Sequence, residues 1–264
     1  MHFLKGHGTE NDFVLIPDPD GALKLDEDLV RRICNRRAGI GADGILRVVR
    51  TSAVPDAAGT DASAEWFMDY RNADGSIAEM CGNGVRVYAR YLVAAGLVSP
   101  GHLRLATRGG VREVDVPATG DIAVDMGPAV IGAAVDIDGA EATAVDMGNP
   151  HAVVHVTSVE ALGVLDPARK DVNVEYVEDI GPAHIRMRVH ERGVGETRSC
   201  GTGACAAVVA TSLRLGTPRG TPYTVDVPGG RLTVTWRDDD TVLLSGPAVL
   251  VASCGFADGW LESR

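Results

Sequence analysis

The chain has 264 residues, enough for one large domain or two of ordinary size, and an apolar fraction of 45% that can fill packed cores. Its 25 basic against 36 acidic residues leave a net charge of −11, which argues against a broad nucleic-acid-binding surface; an anionic ligand would need a local site. No apolar run approaches the roughly 18 residues of a membrane span, and the opening "MHFLKGHGTENDFV" lacks the apolar core of a signal peptide.

In chain order, "DFVLIPD" reads as a short strand, and "DEDLVRRICNRR" (26–37) has helical periodicity with Asp26 as its N-cap. "GADGILRVVR" turns into another strand, and the small, polar run 51–64 reads as a loop without an evident task. "EWFMDYRNADGS" is a strand entering a turn, followed by the helix "GVRVYARYLVAAG", which ends near Gly96. "LRLATRGGVREVDVP" reads as a hairpin turning at Gly109 and Gly110. Residues 117–130 look like a boundary, after which the pattern restarts. "AVDMGNPHAVVHV" is strand, turn and strand; residues 183–216 are strand, glycine-rich turn and helix; strands around "YTVDVPGGRLTVTW" and "TVLLSGPAVLV" close the second half.

Two stretches repeat one arrangement. "NADGSIAEMCGNG" and "ERGVGETRSCGTG" each place a polar side chain nine residues before a cysteine, Asn72 for Cys81 and Glu191 for Cys200, and each continues Cys-Gly-x-Gly into an apolar helix. Internal duplication is the simplest explanation, with chance similarity the alternative. It gives an N-terminal lobe, 1–118, carrying Cys81 and joined by the terminal segment 250–264, and a C-terminal lobe, 119–249, carrying Cys200.

A helix start carries unpaired N–H groups and partial positive charge. A cysteine there should have its thiol pKa lowered toward neutrality, and the flanking glycines let a carboxylate approach the same N–H groups. The competing reading makes Cys81 and Cys200 small buried hydrophobes. Cys205, inside the second helix, reads as core packing; Cys34 and Cys254 have no functional context. With no Cys-x-x-Cys and no framework spacing, the five thiols point to a reduced, cytoplasmic protein without a metal site.

Two thiols at two helix ends suit proton removal and return at a carbon α to a carboxylate. The developing enolate-like charge needs electrostatic stabilisation, which helix N-termini supply. A thiolate on one face takes the proton and a thiol on the other delivers one, inverting the centre. Such a racemase or epimerase needs no cofactor; the three lysines, Lys5, Lys24 and Lys170, lie in no recognisable pyridoxal phosphate motif.

At this point the chain resembles diaminopimelate epimerases, through "FLKGHGTENDFV", "RNADGSIAEMCGNG", "MGNPHAVV", "DVNVEYV" and "HERGVGETRSCGTGA". The resemblance implies an α+β fold of two pseudo-symmetric lobes, each a mixed β-sheet or barrel wrapped around a central helix, with the site between them. It implies interconversion of LL- and meso-2,6-diaminopimelate, a step toward lysine and peptidoglycan precursors, in a cytoplasmic enzyme whose only partners are its small-molecule substrate and a second copy in a homodimer. Cys81 and Cys200 become the catalytic base and acid. Asn11, Asn72, Gly82, Asn83, Asn149, Asn173, Glu191, Arg192, Gly201 and Thr202 match substrate-binding positions, and His151 and Glu191 match positions that tune the cysteine pKa values. Arg192 offers a planar fork for a carboxylate and Glu191 an acceptor for an ammonium; the asparagines add polarity without net charge.

Each residue also has a structural reading: Asn72 and Asn149 as turn formers, His151 as a structural histidine, and Glu191 with Arg192 as a solvated pair. Thr9 and Glu10 depart from the family's smaller residues and put an extra carboxylate in the first loop, Gly44 cannot supply a binding glutamine some members have, and the terminal "ASCGFADGWLESR" differs from the tail associated with dimers. Two other functions stay open: a proline or hydroxyproline racemase or epimerase using the same cysteine pair, and a non-catalytic, redox-responsive binding protein in which the two thiols form a disulfide.

Overall fold

The computed structural model describes residues 1–55 and 63–261. It is dominated by strands, with three α-helices among the described residues, and divides into two compact units. Met1–Gly8, Asp12–Ile122 and Ala248–Arg264 form the first; Thr9–Asn11 and Ala123–Pro247 form the second.

In the first unit the strands are β1 (His2–Gly8), β2 (Asn11–Pro17), β3 (Gly44–Arg50), β4 (Trp66–Asn72), β5 (Gly101–Thr107) and β6 (Gly110–Val116). β2 runs parallel to β3, β3 antiparallel to β4, β4 parallel to β5, and β5 antiparallel to β6. β1 pairs with β2 and, antiparallel, with the late strand Val249–Gly255. The helix α1 (Glu27–Cys34) follows β2, and α2 (Gly82–Ala94) connects β4 to β5. α2 packs on β1, β3, β4, β6 and the Val249–Gly255 strand, and nearly all of it is buried, as expected of a helix enclosed by its sheet. Its polar side chains survive burial because each finds a partner: Arg86 donates to Asn83 Oδ1 at 2.8 Å, and the Tyr88 hydroxyl to the Phe67 carbonyl at 2.9 Å.

The second unit contains β7 (Ile122–Pro128), β8 (Val130–Ile131), β9 (Val135–Ile137), β10 (Ala140–Asp146), β11 (Pro150–His155), β12 (Asn173–Gly181), β13 (His184–Glu191), β14 (Gly195–Thr197), β15 (Pro222–Val227), β16 (Gly230–Trp236) and β17 (Thr241–Gly246). β11 is parallel to β12, β12 antiparallel to β13, β13 parallel to β15, and β15 antiparallel to β16. That is the alternation of β2 to β6, and α3 (Gly201–Leu215) lies between β13 and β15 as α2 lies between β4 and β5. α3 packs on β10 to β13 and β15 to β17; its small side chains, Ala204 to Ala207 and Ala210, let strands approach from every side. Each unit is therefore a mixed sheet wrapped around a central helix, and the two repeat one topology.

Several local expectations are adjusted. The first helix starts on Asp26, whose carboxylate accepts the Leu29 N–H at 3.0 Å, but it stops at Cys34 and not near Arg37. Asn35 ends it, because Asn35 Oδ1 takes the N–H groups of Arg37 and Ala38, both at 2.9 Å. The β5–β6 hairpin pairs Thr107 with Gly110, so its turn residues are Arg108 and Gly109, one position before the expected pair. Residues 117–130 hold the division between the units, after Ile122, and β7 occupies half of them. In the run 51–64, Thr51–Ala53 form a short 3-10 turn tied by Thr51 N–H to the Glu65 carbonyl at 2.9 Å; residues 56–62 lie outside the described residues.

The terminal segment packs on its own unit. Phe256 meets Phe3 at 4.5 Å and stacks on Trp260 at 5.3 Å between ring centroids, and Arg32 lies 4.9 Å over the Trp260 ring. Thr9–Asn11 leave the expected first lobe for the second unit. Thr9 Oγ1 and Ser199 Oγ share a hydrogen bond at 2.6 Å, and Arg198 pairs with Glu10, so the unexpected carboxylate of the first loop is already engaged. Among the described residues no helix is long and apolar enough to cross a membrane.

Asp12 makes the first unit sensitive to acid. Burial alone would raise its carboxyl, but hydrogen bonds from Arg36 (2.6 Å) and Lys5 (2.5 Å) outweigh burial and hold it at about 2, below the ordinary 3.8. A depressed carboxyl contributes stability above its unfolded value that is lost as pH falls through the folded one. Asp12→Asn is expected to cost roughly 1–2 kcal/mol at pH 7 and almost nothing near pH 2, read from urea unfolding at both pH values.

Candidate active site

Each candidate cysteine caps a central helix. Cys81 precedes α2 with extended backbone (φ −146°, ψ 116°), and its Sγ accepts the Gly84 N–H at 3.4 Å. Cys200 repeats this before α3 (φ −123°, ψ 119°), accepting from the Gly203 N–H at 3.4 Å, with the Thr202 hydroxyl at the same distance. A serine or aspartate at an N-cap uses its oxygen in this way; here the sulfur occupies that place, in the positive field of the helix start. The second glycine of each motif keeps space for a neighbour. A Cβ at Gly84 would lie 3.2 Å from Leu46 Cδ2, and one at Gly203 would lie 2.6 Å from Glu175 Oε1.

The expected lowering of the thiol pKa is reversed at Cys200. Burial is the largest cause and pushes the thiol well above its ordinary range, the carboxylates of Glu191 and Glu175 push it further, and the Thr202 hydroxyl and Gly203 N–H only partly oppose them. The helix end is thus outweighed by its surroundings in the unliganded protein. Cys34, without a functional context, is pushed up to about 12, chiefly by burial, and Cys205 is fully buried in α3.

Around Cys200 the second unit gathers most of the other candidates. His151, on β11, is buried; its Nδ1 donates to Glu175 Oε1 at 2.7 Å, and its Nε2 lies 3.0 Å from Asn149 Oδ1. Asn173, at the start of β12, donates from Nδ2 to the Pro150 carbonyl at 3.1 Å and accepts the Arg192 backbone N–H at 2.9 Å. It thereby ties the loop carrying Asn149 to the turn carrying Arg192. Glu191 ends β13, pairs in register with Gly195, and accepts a hydrogen bond from the Thr197 hydroxyl. The Arg192 side chain is exposed, and Thr202 sits half-buried in the first turn of α3 behind the buried Gly201. Asn11 opens β2, next to Thr9 and Glu10, whose positive φ values of 48° and 61° bend the chain into that strand.

In the first unit, Gly82 and Asn83 are buried in the opening turn of α2. Asn72 ends β4, where its Nδ2 donates to Ser76 Oγ at 3.0 Å and its carbonyl accepts the Gly75 N–H at 2.9 Å; it has the turn-forming role as well as its place before Cys81. The residue that sequence reasoning missed is Glu175. Its signal was present in "DVNVEYV", where period-two alternation puts Glu175 on the same face as Asn173, a charge inside an otherwise apolar strand.

The scaffold is a known one. The fold matches a phenazine biosynthesis protein of the PhzF family from Bacillus anthracis, with a TM-score of 0.71 and 16% identity over 96% of this chain and 98% of that one. It also matches a hydroxyproline epimerase from Agrobacterium vitis, with a TM-score of 0.68 and 14% identity over 96% and 91%. Within that class of two-lobed α+β proteins, the family model described as diaminopimelate epimerase matches residues 3–132 and 143–251. A diaminopimelate epimerase from Streptomyces coelicolor is 55% identical over 98% of this chain and 96% of its own length; one from Thermobifida fusca is 49% identical over 96% of each. The chain belongs to the diaminopimelate epimerase family.

Proposed function

We propose that this protein is a diaminopimelate epimerase, an isomerase that interconverts LL- and meso-2,6-diaminopimelate without a cofactor, with Cys81 and Cys200 exchanging the roles of base and acid according to the stereoisomer bound. The observation that carries this reading is the pair of Cys-Gly-x-Gly helix N-caps in a chain 55% identical to a diaminopimelate epimerase. The helix-start N–H groups behind each sulfur suit the reacting carboxylate, whose charge grows as the α-proton leaves. Arg192, with its guanidinium at the surface, takes the distal carboxylate; Asn11, Asn72, Asn149 and Asn173 bind the remaining polar groups. Glu191 accepts from an ammonium, which cancels one of the two carboxylate charges that raise the Cys200 thiol. Burial and those charges favour the thiol form of Cys200, and loss of one charge on binding eases its ionisation. His151 and Glu191 tune the thiols in this scheme.

None of the five cysteines is joined in a disulfide, which supports a cytoplasmic location. A homodimer is the proposed assembly. Proline or hydroxyproline as substrate is the competing outcome. Incubation in deuterated water with LL-diaminopimelate, and separately with proline, distinguishes them: deuterium at the diaminopimelate α-carbon alone is expected, and deuterium at the proline α-carbon alone would replace this reading with the other.

A further inference from the structure

So far Glu175 is only a charge beside Cys200 and the partner of His151 Nδ1. Its side chain is fully buried on β12, and among the described residues its Oε2 has no hydrogen-bond partner. Taking a carboxylate out of water is costly unless it is well paired, so a half-satisfied one at the centre of a sheet invites a functional explanation. The register supplies one. His151 pairs with Asn173 across β11 and β12, and Asn173 and Glu175 share a face of β12; on β13 the residues two apart on that face include Val189, opposite Glu175, and Glu191. The titratable groups around the carboxylate are thus His151 from β11, Glu191 from β13 and Cys200 from the start of α3.

We propose that Glu175 is a positioning residue of this epimerase: its buried carboxylate clamps the His151 ring through Nδ1, aims Nε2 at Asn149, and fills the space beside the second glycine of the Cys200 motif. The clamp is a charge-assisted hydrogen bond of 2.7 Å, stronger than a neutral one and directional enough to fix the ring. From Nε2 the order passes to the Asn149 side-chain amide, 3.0 Å from the ring, so a carboxylate that never meets substrate orients a substrate-binding amide. On its other side, Glu175 Oε1 lies 2.6 Å from where a Cβ at Gly203 would be, a close approach that ties β12 to the turn that caps Cys200. It also keeps one negative charge beside that thiol when no ligand is bound. The roles assigned to His151, Asn149 and Cys200 rest on the function proposed above; the clamp and the charge beside Cys200 do not.

The test separates the two. Iodoacetamide labelling across pH 7 to 10, read by mass spectrometry on the peptide containing Cys200, needs no substrate. Glu175→Gln keeps the shape and an acceptor for Nδ1 but removes the charge, so Cys200 labelling near pH 8 should rise about tenfold. Glu175→Asp keeps the charge and withdraws it from His151; its labelling profile should stay near that of the wild type while kcat/KM for LL-diaminopimelate falls about tenfold, the value of a charge-assisted hydrogen bond. A Glu175→Gln labelling profile superimposable on the wild type overturns the charge assignment, and wild-type kcat/KM in Glu175→Asp overturns the clamp. If one variant fails to fold, the other still decides its own half. Wild-type protein inert toward LL-diaminopimelate would instead sink the proposed function, with the labelling result unaffected.

Discussion

Alanine in place of Cys200 is expected to lower kcat for LL-diaminopimelate by about 10⁴-fold, and alanine in place of Cys81 to do the same, the upper range for loss of a general acid or base. An amino-acid α-proton is so weakly acidic that neither water nor a neighbouring amide replaces a thiolate poised against it. In the proposed mechanism both sulfurs act in one inversion, so removing the second should add little once the first is gone, and the double variant should be no slower than the slower single one. Substrate binding should largely survive, because the N–H groups of Gly82 to Gly84 and Gly201 to Gly203 belong to the backbone. KM is therefore expected to move less than about tenfold, while kcat carries the loss. Full turnover by either single variant would refute the two-base mechanism.

Gly229→Ala should be the most damaging single methyl in the second unit. A Cβ there would stand 1.9 Å from the Thr9 carbonyl oxygen and 2.6 Å from its carbon, and backbone cannot yield as a flexible side chain does. Thr9 and Glu10 are already in the left-handed region and are held by Ser199 and Arg198, so the strain has nowhere to go except into displacement of Thr9–Asn11. A stability loss of about 3 kcal/mol is expected, corresponding to a melting temperature roughly 6–12 °C lower. Asn11 moves with that segment, so KM should rise about tenfold, the value of one hydrogen bond to a charged group. Gly255→Ala, whose nearest neighbour is 3.9 Å away, is the control and should melt like the wild type. Unchanged melting and KM in Gly229→Ala would contradict the packing of the first loop.

The parts that were legible in the sequence are those written in local chemistry. Cys-Gly-x-Gly before an apolar run marks a helix start, and α2 and α3 begin there, with each sulfur as the cap. Asp26 before Glu27 and Asp28 marks a helix start for the same reason. What could not be read was set by residues distant in sequence. Helix-end physics argues for an acidic thiol at Cys200, but its burial and the charges of Glu191 and Glu175 come from β12, β13 and the packing of α3, and these win. The strand β7 was hidden because its alternation is flanked by proline, glycine and alanine that resemble a linker. Thr9–Asn11 look like part of the first strand pair, yet Ser199, Arg198 and Gly229 claim them for the other unit.

Deuterium distribution at the first few per cent of conversion tests the two-base claim most directly. With LL-diaminopimelate in deuterated water, the thiol that delivers the new proton has already exchanged with solvent, while the sulfur that accepts the old one holds protium. Meso product carrying one deuterium at the inverted α-carbon is expected, with recovered LL substrate still protiated. Product and substrate labelled to the same extent from the outset, or product with no label, would mean that a single base serves both faces, and would contradict the two-base claim.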